Sequence, residues 1–308
     1  MGWRMIEAHN VIKSYGTKKA LDNFEMSVEK NAVHAIIGPN GSGKSTVIKI
    51  LSLLIKPDSG SISIDGISIN NVRELRPMIS VVPELQAIPE NRSPRQILEN
   101  AGKAARLPRE ETKYRIDVLA EMLDIMADLD RKVGDTSLGI KRRVSLGVSL
   151  INDASLILMD GSLAELDPGF SVQFMNALKA TRDKTVVLTA NNMNLIDQVC
   201  DSVTIIKDGM TLMNESMLSI REKIGRPGVI LRVSPINIQK VESVLRHQIY
   251  ANRIKVGEDY LLVEVDDFLH IPSIIRQASA FTEVYEARQT MTSLEDMYHA
   301  LIEPAENQ

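Results

Sequence analysis

The sequence predicts an α/β domain built on a largely parallel sheet and followed by a small α+β unit, and three observations carry that reading. Short apolar runs alternate with helix-compatible stretches through most of the chain. A glycine-rich segment, Gly38 to Thr46, lies between one such run and a helix. A break at Gly225, Arg226, Pro227 and Gly228 precedes a second, shorter alternation of strands and helices. The 308 residues suffice for two domains, since domains commonly run to roughly 100–200 residues.

Taken in order, Met5 to Val28 reads as an antiparallel hairpin turning at Tyr15, Gly16 and Thr17. Ala32 to Ile37 is a short strand, and a helix is expected over Thr46 to Leu54. Pro57, Asp58, Ser59 and Gly60 close that helix, and Ser61 to Ile64 alternates before a turn at Asp65 and Gly66, which makes a small β-rich corner. From Pro94 to about Asp130 the chain is rich in Leu, Ala, Met, Glu, Arg and Lys, and two or three helices are expected there. Ser93 and Pro94 are placed as N-cap and first helical residue. A helix over Lys141 to Ile151 precedes the buried-strand pattern Leu156 to Met159, which ends in Asp160. Thr185 to Thr189 and Val203 to Lys207 repeat the strand pattern.

A domain boundary is expected at Arg226, giving domains 1–226 and 227–308. In the second, strands over Val229 to Val233, Arg253 to Val256, Leu261 to Val265 and Val284 to Glu286 enclose helices over Ile236 to Arg246 and Ile271 to Ala278. That order, βαββαβ, predicts a ferredoxin-like sheet with two helices on one face, and a last helix is expected near Ser293 to Leu301.

Composition narrows the function. Apolar residues at 44%, charged residues at 25%, 17 Gly and 12 Pro exclude collagen-like and disordered classes. A formal charge of −4 gives no global field toward nucleic acid, and 4% aromatics give no stacking platform for single strands, so no nucleic-acid partner is expected. The run Lys141, Arg142, Arg143 reads as a solvated helix face. One cysteine, Cys200, forms no internal disulfide, and the five histidines lack metal-ligand spacing. No signal peptide or membrane-spanning run is expected, which makes the cytoplasm the default.

The segment Gly38, Pro39, Asn40, Gly41, Ser42, Gly43, Lys44, Ser45, Thr46 fits G-x-x-x-x-G-K-[ST] in its strand-to-helix context. Its glycines let backbone N–H groups line an anion cradle, and the helix N-terminus adds its dipole. Lys44 is placed for the β- and γ-phosphates of ATP, Ser45 for Mg²⁺, and Asp160, ending an apolar strand, for the acid that supports the metal.

With these residues the chain resembles the ATP-binding subunits of ABC transporters, above all those of exporters with an extra C-terminal domain. The resemblance covers almost the whole chain and makes the fold a P-loop NTPase of ABC type with a β-rich N-terminal corner and a helical subdomain. It implies that Tyr15 stacks on adenine. The segment TSLGI, Thr136 to Ile140, is similar to the signature LSGGQ, whose Ser and Gly bind the γ-phosphate of the opposing subunit; Ser137 and Gly139 match, while Leu138 and Ile140 depart. Ala164 to Pro168 is similar to the D-loop, with Asp167 as its dimer-contact acid, and Thr292 to Leu301 to the C-terminal close of the exporter subgroup.

Three positions depart from the family's hydrolytic machinery. The glutamate expected after Asp160, which polarises the attacking water, is Gly161. The switch histidine is Asn191, and the glutamine that senses Mg²⁺ is Glu84, which retains an oxygen for the metal. No catalytic residue is therefore intact, because Gly161 and Asn191 occupy the base and switch positions. A positioned base is worth about 10²–10⁴ in rate, whereas phosphate binding rests on the cradle, Lys44 and Mg²⁺, so binding is expected to outlive hydrolysis.

The resemblance implies an ATP-binding subunit, cytoplasmic and peripheral on the membrane through a membrane-spanning permease subunit. It would act as a homodimer, or as a heterodimer with another ABC ATPase subunit. The alternatives are a soluble ABC-fold regulator without a membrane partner and an ABC protein acting on ribosomes or nucleic acid. The last is disfavoured by the absence of a second ATPase domain and of a coiled coil.

Overall fold

The computed structural model describes residues 3–83, 88–163, 166–181, 183–190, 192–224, 227–291 and 294–302. The chain forms two compact units, Met1–Met217 and Leu218–Gln308. The division falls earlier than Arg226, because the helix preceding that break groups with the second unit, apart from its first residue.

In the first unit, β1 (Arg4–Tyr15) and β2 (Lys18–Glu29) form the expected hairpin. β3 (Val33–Ile37) leads through the glycine-rich loop into α1 (Lys44–Leu51). β4 (Ser59–Ile64) and β5 (Ile67–Ser68) complete a four-stranded sheet of order β2-β1-β4-β5. The short α2 (Val72–Leu75) and the strand β6 (Ile79–Val82) precede three helices, α3 (Pro94–Ala104), α4 (Arg109–Met122) and α5 (Leu138–Leu150). β7 (Leu156–Asp160), α6 (Pro168–Ala180), β8 (Thr185–Thr189), α7 (Met193–Val199), β9 (Ser202–Lys207) and β10 (Met210–Ser216) finish the second sheet, of order β10-β9-β3-β8-β7-β6. The four pairings among β9, β3, β8, β7 and β6 are parallel, and at the β10 edge the pairing to β9 is antiparallel.

Local chemistry sets the helix ends. Ser93 and Gln96 make a reciprocal capping box at α3, with Ser93 Oγ accepting the Gln96 N–H at 3.3 Å and Pro94 at the first helical position. The helix expected from Lys141 begins instead at Leu138, because Ser137 Oγ accepts the Ile140 N–H at 3.3 Å and so starts the turn earlier. α1 begins at Lys44, before Thr46, and stops at Leu51 because Leu53 adopts a left-handed φ of 63°, returning the N–H groups of Leu54 and Ile55 to Lys49 O.

The strands that carry the glycine-rich loop and Asp160 are buried on both faces, as a parallel sheet between helices requires. Ile36, Leu158 and Val187 are fully buried, and each contributes roughly 1.5–3 kcal/mol relative to an exposed side chain. One polar group sits among them. His34 on β3 is fully buried, its Nδ1 2.7 Å from Ser202 Oγ and its Nε2 2.8 Å from Thr204 Oγ1, and burial drives its pKa down to about 3. The two sheets are tied where Thr211 Oγ1 donates to Glu25 O at 2.6 Å and accepts the Glu25 N–H at 3.1 Å.

The second unit opens in α8 (Met217–Ile224), whose first residue belongs to the first unit, and continues as β11 (Pro227–Val233), α9 (Ile238–Arg246), β12 (Ala251–Val256), β13 (Tyr260–Val265), α10 (Ile271–Ser279), β14 (Val284–Met291) and α11 (Leu294–Ile302). Its antiparallel sheet has the order β12-β13-β11-β14, the split arrangement that βαββαβ predicts. Val229, Leu231, Val241, Leu245, Val263 and Ile274 form its core. Among the described residues no helix is long and apolar enough to cross a membrane.

Candidate nucleotide-phosphate site

Three neighbouring parallel strands, β3, β8 and β7, end at one place. β3 delivers the glycine-rich loop, β8 delivers Thr189 and β7 delivers Asp160. A crevice beyond the carboxyl ends of such strands is where α/β folds bind ligands. Here it is a cleft of about 900 Å³ whose lining includes Lys44, Ser45, Asp160, Gly161, Leu166 and Thr189.

The loop is shaped for an anion. Gly43 closes it at φ 113°, and a Cβ there would lie 2.5 Å from Ala20 O, so glycine is required for conformation and for space. Gly209 donates its N–H to Ser42 O at 2.9 Å and thereby anchors the loop to the β9–β10 turn. No side chain caps α1, so its first N–H groups keep their free valence toward the loop interior. The Ser42 hydroxyl is buried without a hydrogen-bond partner. Lys44 Nζ donates to Gly38 O at 2.6 Å and Pro39 O at 2.9 Å, folded back over the loop. Burial lowers its pKa, and the Asp160 carboxylate opposes that shift.

Ser45 Oγ donates to Asp160 Oδ1 at 3.2 Å, which brings together two hard oxygen ligands. Among the described residues no three His, Cys, Asp or Glu converge on a metal cage. A hydroxyl and one carboxylate beside a phosphate cradle fit Mg²⁺, which takes few protein oxygens and completes its shell with phosphate and water.

Thr189 was not among the residues singled out from sequence, and it organises the far side of the cleft. It pairs with Asp160 across β7 and β8 and is buried. Its Oγ1 donates to Asp160 Oδ1 at 2.9 Å and accepts the Gly161 N–H at 2.8 Å. A hydroxyl closing an otherwise apolar strand, in TVVLT, was its only sequence signal. Gly161 itself turns at φ 66°, a left-handed conformation. The position at which the sequence resemblance predicts a glutamate is thus bare and also bent away from the backbone that a glutamate favours.

The remaining sequence-derived residues are distributed as follows. Tyr15 ends β1 half-exposed, with Lys13 Nζ 5.9 Å from its ring centre. Asn40 and Gly41 form the exposed rim of the loop beside the half-buried Pro39, and Thr46 lies in the first turn of α1. Ser137 and Gly139 are exposed at the N-terminus of α5 and do not line the cleft of their own chain. Asp167 caps α6, its Oδ1 accepting the Phe170 N–H at 3.0 Å. Lys141 and Arg143 pair with Glu90 and Asp124 at 2.5 and 2.8 Å, and Arg143 also packs over the Phe170 ring at 3.9 Å. Cys200 is buried, and burial pushes its thiol up to about 12. Glu84 and Asn191 lie outside the described residues.

A family model described as ABC transporter matches residues 21–164. A daunorubicin resistance ATP-binding protein of Streptomyces coeruleorubidus is 32% identical over 228 residues, 71% of this chain and 71% of the relative. The chain belongs to the ABC transporter ATP-binding family. A second such resistance protein of the same organism is 28% identical over 92% of this chain and 87% of its own length. Nod factor export ATP-binding protein I of Rhizobium meliloti is 30% identical over 71% of this chain and 67% of its own. Among solved structures, an ATP-binding cassette of an ABC transporter in its ADP conformation shares the fold, with TM-score 0.62 and 22% identity over 72% of this chain and 94% of that one. A dimeric ABC cassette in a post-hydrolysis state, bound to ADP and Pi, matches with TM-score 0.59 and 25% identity over 69% of this chain and 99% of the other.

Proposed function

We propose that this chain is the ATP-binding subunit of an ABC exporter, that it binds Mg-ATP, and that its own hydrolysis is poor. The observation that carries the reading is the contrast inside one cleft. The phosphate loop, Lys44, Ser45 and Asp160 are all in place, and the next residue along β7 is a left-handed glycine. The backbone of Gly38 to Thr46 holds the phosphates, Lys44 leaves its loop carbonyls to meet them, and Ser45 and Asp160 hold Mg²⁺, which neutralises phosphate charge when bound. Glu84 adds an oxygen to the metal, and Tyr15 stacks on adenine.

Ser137 and Gly139 act on the nucleotide of a second subunit. Their exposure at an N-terminus, away from their own cleft, supports a head-to-tail sandwich. Pairing with an intact ATPase subunit would leave one site able to turn over. The movement is delivered to a separate membrane-spanning permease, which places this chain on the cytoplasmic face, and the C-terminal unit is an accessory domain. The relatives named for daunorubicin resistance and Nod factor export support an exporter.

The test is co-expression with a neighbouring gene product that carries six membrane segments. The chain should sediment with membranes and be released when that partner is omitted. A chain that stays in the supernatant in both cases, while binding ATP, is instead a soluble nucleotide-dependent regulator.

A further inference from the structure

We infer that Lys18 is a second phosphate-binding lysine, which holds the phosphate nearest the ribose and so serves ATP and ADP alike; the inference rests on the nucleotide reading of the cleft. Lys18 opens β2 and faces Tyr15 directly across the hairpin, in the same register as the next pair, Ser14 and Lys19. Residues directly opposite in an antiparallel pair project from the same face of the sheet. The lysine and the ring proposed to stack on adenine therefore leave the hairpin side by side.

The start of β2 is pressed against the phosphate loop. A Cβ at Gly43 would lie 2.5 Å from Ala20 O and 2.9 Å from Leu21 Cδ2. Asp22 donates its N–H to Gly209 O at 3.0 Å, and the N–H of that same glycine holds Ser42 O of the loop. These ties fix how far Lys18 stands from the cradle. Its Nζ lies 4.0 Å from where a Cβ of Gly41 would be, over the exposed rim of the loop.

The neighbouring lysines are committed. Lys13 pairs with Asp58 at 2.6 Å, Lys19 with Asp22 at 3.0 Å, and Lys44 donates to two loop carbonyls. Lys18 has neither an ion pair nor a hydrogen bond among the described residues, and it is exposed. An ammonium beside an anion cradle, with no carboxylate to neutralise it, strengthens the local field that draws an anion in. The two ends of the site decide which phosphate it meets. Ser45 and Asp160 mark the metal end, where the terminal phosphates are proposed, and Tyr15 marks the base end. Lys18 stands at the base end, so the phosphate within its reach is the one next to the ribose, which ATP and ADP share. It tightens the hold on nucleotide without telling substrate from product.

The experiment is calorimetric titration of the full chain with Mg-ATP and with Mg-ADP, at low and at high salt, on the wild type, Lys18→Met, Lys18→Arg and Lys44→Ala. Lys18→Met keeps the alkyl stem and removes the charge. It should weaken both nucleotides by the same factor, about three- to tenfold, with the loss shrinking as salt screens an exposed contact. Lys18→Arg keeps the charge and should recover most of the affinity, and Lys18→Met should melt as the wild type does, since it loses no polar contact within the chain. Unchanged affinity in Lys18→Met, a loss confined to ATP, or a loss that Lys18→Arg does not recover would each overturn the inference. Binding that Lys44→Ala weakens and Lys18→Met does not would overturn this inference alone; a wild type that binds neither nucleotide would overturn the nucleotide reading with it.

Discussion

Two halves of one cleft, either side of β8, have been treated differently. On the β3 side every feature needed to hold phosphate is present: the Gly43 turn that admits only glycine, the uncapped start of α1, and a lysine poised over the loop. On the β7 side Asp160 is kept and held at 2.9 Å by Thr189, yet the next residue is a glycine at φ 66°. The difference teaches that the proposed loss of hydrolysis need not mean loss of order. The elbow is fixed by its own hydrogen bonds, and what it fixes is a backbone without a base.

The comparison can be broken most directly at Lys44. Lys44→Ala removes a charge-assisted phosphate contact worth about 1.5–3 kcal/mol, so calorimetry should show ATP affinity about 10- to 100-fold lower. Unchanged affinity would mean that the β3 side is not the binding half. Thr189→Val sharpens the other half. It leaves the Gly161 N–H without its acceptor and removes one of the two hydroxyls that donate to Asp160 Oδ1, at a cost of about 1–3 kcal/mol in unfolding free energy. It should also shrink the ratio of ATP affinities with and without Mg²⁺, which a purely structural role for Thr189 would leave alone.

Gly161→Glu restores the family's letter but not its backbone. A side chain at φ 66° costs about 1–2 kcal/mol, so the variant should melt lower and gain no turnover. Activity rescued without loss of stability would show that the bend is not a barrier. The effect confined to acid pH concerns His34 on β3. Its folded pKa of about 3 lies below the unfolded value of 6.5, so the unfolded chain binds the extra proton between them. Stability is full above pH 6.5 and falls by about 1.4 kcal/mol per pH unit as pH drops toward 3. Denaturant unfolding of His34→Gln should show that part of the slope removed.

The sequence makes the two halves unequally legible. Gly38 to Thr46 announces itself because a backbone cradle needs glycines at fixed spacing next to a lysine, and spacing is a one-dimensional property. The βαββαβ unit is legible for the same reason, from the period of its apolar residues. Gly161 declares the missing carboxylate but not its own left-handed turn, since glycine permits either sign of φ. Thr189 is harder still, because its role depends on the register of β7 against β8, which residues far apart in the chain decide together. The helix ends at Leu138 and Leu51 moved from their expected places for local reasons, the Ser137 cap and the left-handed Leu53, which helix periodicity does not encode.

The central claim is that this chain binds nucleotide on one side of the cleft and lacks the means to hydrolyse it on the other. Single-turnover phosphate release from the purified chain with Mg-ATP, beside Lys44→Ala, tests it. The account requires nucleotide bound by the wild type and phosphate release no faster than the Lys44→Ala blank. Release well above that blank would contradict it and would mean that another residue supplies the base missing at Gly161.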